Sequence, residues 1–295
     1  IEDDIFEAGI VKIYDDGGAF LYDSVINKKT SFQGNLRKPT YRGSMTYSHK
    51  FNARHKIQVG TKYTLFPYRF DQSRFQGDAN ERFVLLDFNE NVGTLRNFGS
   101  WKFRAGENLT FVSGIHQMNV LFNKKSTLEP RVAVEWKTSP SSALHLGYGK
   151  HSNMESIHHH FAKAEQADGS ITEPNRDLDL LKAQHFVLGF EQRFGRKIRA
   201  RVELYYRHLY NLPGENVDTS YFSTIVEGLD FQYVDLVNKG KGKNYGVEFT
   251  LEKFFSRHYY FIINASLYQS RYTPLDGGER NTPFNGNYLV NILCG

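Results

Sequence analysis

No apolar run in this chain approaches the roughly 18–20 residues that a membrane-spanning helix needs, and mean hydropathy is −0.53, so helical spans are excluded. Cysteine is nearly absent: Cys294, next to last, is the only one, so no internal disulfide and no Cys-based metal site can form. Proline numbers only 8 in 295 residues and tryptophan only 2. No basic run stands out; the +5 net charge is spread among mixed charges, which argues against a nucleic-acid partner. Hydrolase and nucleotide signatures are missing too. Neither G-x-S-x-G nor H-E-x-x-H occurs, and Gly240-Lys241-Gly242-Lys243 precedes a strand pattern where a P-loop would follow one. Ser141 and Ser142 near His145 fall at a tight turn, a poor place for a dry oxyanion site. The chain reads as a non-enzyme, and no cofactor is indicated.

Aromatics are abundant, 24 Phe and 18 Tyr, and they favour strands. The stretch Asn244–Ser270 shows the repeating unit. Tyr245, Val247, Phe249 and Leu251 alternate with Gly246, Glu248, Thr250 and Glu252. A polar turn at Ser256-Arg257-His258 follows, and then Tyr259, Phe261, Ile263, Ala265 and Leu267 alternate again. A period of two on both sides of a short turn predicts a long antiparallel hairpin. The same pattern recurs with tight turns near residues 53, 107, 140 and 196.

Between these turns the sequence predicts longer connections: a polar segment over about 71–91, a loop over 152–182 and another over 211–243. Residues 1–38 are hardest to read, with one strand expected over Ile5–Tyr14 and a polar stretch after it. An aromatic stands shortly before each tight turn: Phe51, Phe103, Trp136, Phe194, and Phe254 with Phe255. Short turns at one end, long loops at the other and an aromatic girdle describe an antiparallel up-and-down transmembrane β-barrel. A soluble sandwich or jelly roll also alternates, but its strands usually run about five or six residues, and here they run nearer ten to thirteen. The charged faces fit either architecture. No linker or second composition regime divides the chain, so a single β-barrel region over 1–295 is expected.

Four stretches carry a family resemblance: Ser126–Ser156 (STLEPRVAVEWKTSPSSALHLGYGKHSNMES), Ala183–Pro213 (AQHFVLGFEQRFGRKIRARVELYYRHLYNLP), Leu236–Phe254 (LVNKGKGKNYGVEFTLEKF) and Arg280–Gly295 (RNTPFNGNYLVNILCG). In order, they resemble the barrel region of TonB-dependent outer-membrane receptors, in the branch with a carboxypeptidase-regulatory-like N-terminal domain. The resemblance runs from about residue 40 onward. It implies a 22-stranded barrel in the bacterial outer membrane, surrounded by lipid and filled by a plug. Such a receptor is driven by the TonB complex and imports a siderophore, haem, cobalamin or glycan.

This chain shows no plug and no TonB box, has room for about 11–12 strands, and ends at Leu293-Cys294-Gly295 without a terminal aromatic strand. It is therefore expected to be an internal portion, partnered by its missing plug and barrel segments. The alternatives are a self-contained small channel or adhesion barrel, and a soluble glycan-binding sheet protein.

Two clusters are candidate sites. His151, His158, His159 and His160 crowd one predicted loop, and neutral imidazoles suit Zn, Cu, Fe and Ni, although neighbouring rings on an extended HHH would not all face one ion. Arg199, Arg201, Glu203 and Arg207 form a charged row that would face a lumen, there to steer a small-molecule or glycan ligand, to pair across strands or to meet a plug. Glu173, Arg176, Asp177 and Asp179 read as a solvated loop without calcium-loop spacing. Tyr205, Tyr206, Tyr210, Tyr221 and Tyr233 fit a sugar-stacking set or an interface belt equally.

Overall fold

A computed structural model describes residues 2–15, 18–76, 81–165, 169–227 and 234–295. Among these described residues, sixteen strands and two short helical turns follow in chain order. They are β1 Glu2–Tyr14, β2 Phe20–Arg37, β3 Tyr41–Lys50, β4 His55–Gln76, β5 Glu81–Arg104, β6 Leu109–Val120, β7 Ser126–Ser139, β8 Ser142–Asn153, α1 Ile157–His160, β9 Ala164–Glu165, β10 Ile171–Thr172, β11 Leu181–Phe194, β12 Ile198–Glu215, a 3-10 turn Thr224–Val226, β13 Leu236–Ser256, β14 Tyr259–Thr273, β15 Arg280–Asn281 and β16 Tyr288–Cys294.

All strands except the β9–β10 pair join one antiparallel sheet in which neighbours in sequence are neighbours in space. β2 and β3 lie end to end beside β4, and β15 and β16 lie end to end beside β14, so the sheet is twelve positions wide, in line with the 11–12 strands expected. The break between β2 and β3 has a local cause. Pairing of Arg37 with Arg69 and of Tyr41 with Leu65 sets Pro39 opposite Pro67, and neither residue has an N–H to give to the ladder. Among the described residues the two ends of the sheet, β1 and β15–β16, do not pair, and the sheet stays open. That disfavours a self-contained twelve-stranded channel.

Alternation fixes what each face carries. Along one row Trp136, Leu144, Phe190, Val202, Phe249 and Ala265 stand side by side on successive strands. The apolar face is the open one: Val202 is 40 %, Leu204 49 % and Phe249 38 % exposed, while Arg201 and Glu203 on the opposite face are half-buried. A sandwich would bury those apolar residues against a second sheet. Here they cover no protein partner, as a lipid-facing wall requires.

The five tight turns lie where expected, and Phe51, Trp136, Phe194, Phe254 and Phe255 are exposed beside them, with Phe103 half-buried in a stack with His55 and Trp101. The β13–β14 turn closes on two residues, Arg257 and His258, both at positive φ (53° and 72°), the primed geometry that matches strand twist. Nearby, the Lys253 ammonium sits 3.4 Å from the Tyr259 ring centroid and donates to the carbonyls of Ser256 and Tyr259.

Three sequence expectations are corrected. The polar segment over 71–91 belongs mostly to β4 and β5, 22 and 24 residues long, a hairpin about twice what a membrane crossing needs. The polar stretch after Tyr14 is β2, paired with β1. The loop over 211–243 shrinks to the residues between Glu215 and Leu236. Polar residues on both faces interrupt the period of two in β2 and in the outer parts of β12 and β13, and in β5 the run Phe83-Val84-Leu85-Leu86 puts apolar residues on both faces, while the ladder of backbone hydrogen bonds continues regardless of side chain. The closed hydrophobic core lies at this projecting end: Tyr68, Phe70, Leu86, Phe88 and Val92 of the β4–β5 hairpin pack around Ile157, Phe161 and Ala162.

Candidate functional site

The polar face of the sheet carries a charged and imidazole-rich wall. Register places His116 beside Glu129, Arg131 and His185 on either side of Gly149, and His185 beside Arg207. Glu129 accepts from Arg131 Nη2 at 2.8 Å and from the Ser152 N–H at 3.1 Å, and the Ser152 hydroxyl also donates to it. The rings of His151 and His185 lie 4.4 Å apart. A Cβ on Gly149 would sit 2.9 Å from His151 Nε2, so only glycine lets that ring fold down over the strand. Gly114, Gly147 and Gly149 with His116, Arg131, His151 and His185 line a hollow of about 350 Å³. A larger depression, about 500 Å³, is lined chiefly by apolar residues of the opposite face, such as Val134, Leu146, Leu188 and Leu204, and has no chemistry to offer.

The predicted charged row lies on this wall, and its members engage one another or neighbouring side chains. Arg199 Nη2 is 2.7 Å from Glu252 across the β12–β13 ladder and its Nη1 is 3.9 Å from Glu191. Arg201 donates to Glu203 at 2.7 Å along its own strand, and the Arg207 guanidinium lies 5.2 Å from the Tyr205 ring centroid. The tyrosines do not form one platform. Tyr205 lies on the polar face of β12, Tyr206 is exposed on the apolar face, and Tyr221 is exposed in the next loop. Tyr210 stacks on His208, and Tyr233 lies outside the described residues. Hydroxyls of Thr138, Ser139, Ser141 and Ser142 bond with one another at their turn.

At the loop end the four candidate histidines separate. His151 belongs to the wall, while His158, His159 and His160 are buried in α1. The HHH tripeptide is wound into a helical turn and not extended, because Ile157 and Phe161, four residues apart, drop together into the β4–β5 core. Phe161 stacks on Phe88 at 4.7 Å between centroids.

The winding turns His160 away from the other two rings. His160 Nδ1 lies 3.2 Å from the Asn175 carbonyl. His159 Nε2 lies 2.7 Å from Glu227 Oε2. The His158 and His159 rings lie 4.4 Å apart, and one donor atom from each of His158, His159 and Glu227 falls within 4.8 Å of the others. Burial pulls His158 down to about 3 and His160 to about 4, so both rings are neutral at pH 7.

Hydrogen bonds fasten the surrounding loops. Glu155 Oε2 accepts from Thr224 Oγ1 at 2.7 Å, and the Ser223 hydroxyl donates to the Pro213 carbonyl. Asn175 Nδ2 donates to the Val234 carbonyl and its Oδ1 accepts the Leu236 N–H. Asp179 accepts from Lys182 Nζ at 2.6 Å, Asn211 Nδ2 at 2.8 Å and the Leu180 N–H. Burial pushes the Asp179 carboxyl up, but these donors and the Lys125 charge outweigh it and hold the group below the usual range. The acidic loop is therefore tied down: Arg176 also meets Glu173 at 3.1 Å and lies over the Phe161 ring. Glu227 and Asn175 were not marked by the sequence: Glu227 reaches His159 from the loop after β12, Asn175 meets His160 through its backbone carbonyl, and no spacing announces either contact.

A sequence model described as "TonB dependent receptor-like, beta-barrel" matches residues 9–292. No curated protein sequence matches the chain. Solved structures resemble its fold at low identity. The siderophore receptor PirA from Acinetobacter baumannii is 13% identical with a TM-score of 0.63, over 94% of this chain and 42% of that one. The outer membrane transporter YddB from Escherichia coli is 11% identical with a TM-score of 0.58, over 95% and 42%. The copper transporter OprC is 12% identical with a TM-score of 0.56, over 81% and 38%. The chain thus spans less than half the length of these structures. An open, two-faced antiparallel sheet and a family match over nearly its whole length lead to one assignment: the chain belongs to the TonB-dependent receptor family and carries part of its outer-membrane β-barrel.

Proposed function

We propose that this chain forms the wall and part of the outer loop layer of a receptor that imports a nutrient across the bacterial outer membrane. The observation that carries the reading is the inversion of the sheet, with apolar residues open to the outside and charges and imidazoles half-buried on the inside. A ligand would enter past the loops around α1 and meet a polar wall rich in cations: Arg131, Arg199, Arg201 and Arg207. The open edges at β1 and β15–β16 would pair with further strands of the same receptor, since an unpaired ladder is untenable in lipid. A plug inside that closed barrel, a link to the TonB complex and a siderophore, haem, cobalamin or glycan cargo follow from membership of the family. Transport of this kind needs no catalytic group, and the protein acts as a carrier and not as an enzyme.

Fractionation of cells making the intact protein tests the placement: it should sediment with the outer membrane, and recovery in the soluble fraction would refute it. Uptake of a candidate nutrient by such cells should stop when the proton-motive force is collapsed. Uptake that continues unchanged would point to a passive channel instead.

A further inference from the structure

We propose that His158, His159 and Glu227 bind a single divalent transition-metal ion that clasps α1 to the loop following β12. One donor atom from each lies within 4.8 Å of the other two, close enough for one ion to gather them with small side-chain movements. Two imidazole nitrogens and a carboxylate oxygen are the donor set of borderline cations such as Zn²⁺, whose bonds to N and O run at about 2.0–2.2 Å. The 2.7 Å contact of His159 with Glu227 would be complete as a hydrogen bond between two partners. His158, next to His159 in α1, sets a second imidazole 4.4 Å from the first, ring to ring, and so adds a second nitrogen donor at the point where Glu227 arrives from the other loop.

The surroundings support a resident ion and not a passing one. His158 is 7 % exposed, the His159 side chain 2 % and the Glu227 side chain 8 %. The ligands lie in the loop layer, whereas His116, His151 and His185 line the wall that cargo would meet. The two backbone segments are also braced independently. Glu155, just before α1, bonds Thr224, three residues before Glu227. The Phe161 ring is locked in the β4–β5 core on the other side of the histidines. Such bracing pre-positions ligands, as outer-shell partners do in metal sites. The inference stands apart from import: an ion here would fasten the loops whatever the receptor carries.

The test uses the purified intact protein, stripped with a chelator and titrated with Zn²⁺ by calorimetry and with Co²⁺ by visible absorption. One equivalent should bind, and Glu227→Gln and His158→Gln should each weaken binding by more than the roughly tenfold that even outer-shell partners contribute. His151→Gln, on the wall, should leave it unchanged. Glu227→Cys should keep the site and add a thiolate-to-Co²⁺ charge-transfer band in the near ultraviolet, a gain of signal that a misfolded loop would not give. The proposal is overturned if the native protein takes up no stoichiometric Zn²⁺. It is equally overturned if uptake is the same in both Gln variants, or if the Cys variant shows no such band. Metal binding is read without any transport assay, so its failure would leave the import reading untouched, and the reverse holds too.

Discussion

Replacing Phe161 by Ala should loosen the outer loop layer and leave the barrel wall intact. The ring is 1 % exposed, stacked on Phe88 at 4.7 Å, tilted against Phe122 at 5.4 Å and capped by the Arg176 guanidinium at 5.0 Å. Truncating a buried Phe removes its transfer energy and leaves a cavity, together about 3–5 kcal/mol. At about 1.4 kcal/mol per decade, local opening should become roughly 10²- to 10³-fold more frequent or more. The cost should fall on α1, on the loop over 161–180 and on the outer half of the β4–β5 hairpin, because no ladder hydrogen bond of the wall depends on this side chain. Hydrogen exchange read by mass spectrometry on the outer-membrane protein would show protection lost in those segments alone, and heat-modifiable mobility in gels would confirm that the barrel persists. Phe255→Ala, 71 % exposed beside a tight turn, should leave loop protection unchanged. Equal protection in the Phe161→Ala protein, or collapse of the whole barrel, would refute the idea of a separate core at the loop end.

Leu204→Arg, on the outward face, should cost about 2–4 kcal/mol if the position lies near the bilayer midplane, seen as less assembled protein in the membrane, while Glu203→Gln on the other face should assemble normally. Gly246→Val should also fail to assemble, since its Cβ would stand 2.5 Å from the Leu267 carbonyl oxygen and 2.9 Å from the Tyr205 hydroxyl; Gly43→Val, with nothing within 4 Å, serves as the tolerated control in the same assay. Asp179 gives a pH dependence. Its folded value lies below the ordinary 3.8, so the unfolded loop takes up protons first on acidification. The clamp's contribution is therefore complete well above pH 3.8 and lost as pH falls through the lowered value. Proteolysis of the loop over 169–180 should rise along that acid limb, and Asp179→Asn should show high susceptibility at every pH.

Much of the wall was legible because a strand crossing a membrane must write its geometry into every second residue. Tyr245, Val247, Phe249 and Leu251 announce their face by alternation alone, and the aromatics before each tight turn mark where the wall meets the headgroups. Alternation is a local signal, and it fails where polar residues fall on both faces of a strand, as in β2, or apolar ones do, as at Phe83, Val84, Leu85 and Leu86 of β5. Hence β2 and the outer halves of β4 and β5 read as polar loops, though their backbones stay paired.

The loop layer was illegible for the opposite reason. Its contacts join residues far apart in sequence, and nothing in HHH predicts that Phe161 will anchor it or that Glu227 will reach it. Local pattern, then, determined most strands of the wall, the width of the sheet and which side is greasy, since each depends on neighbours one or two residues away. Tertiary structure alone decided which histidines share a point in space and which charges neutralise each other, as at Arg199 and Glu252. Only folding brings such partners close enough for their chemistry to be felt.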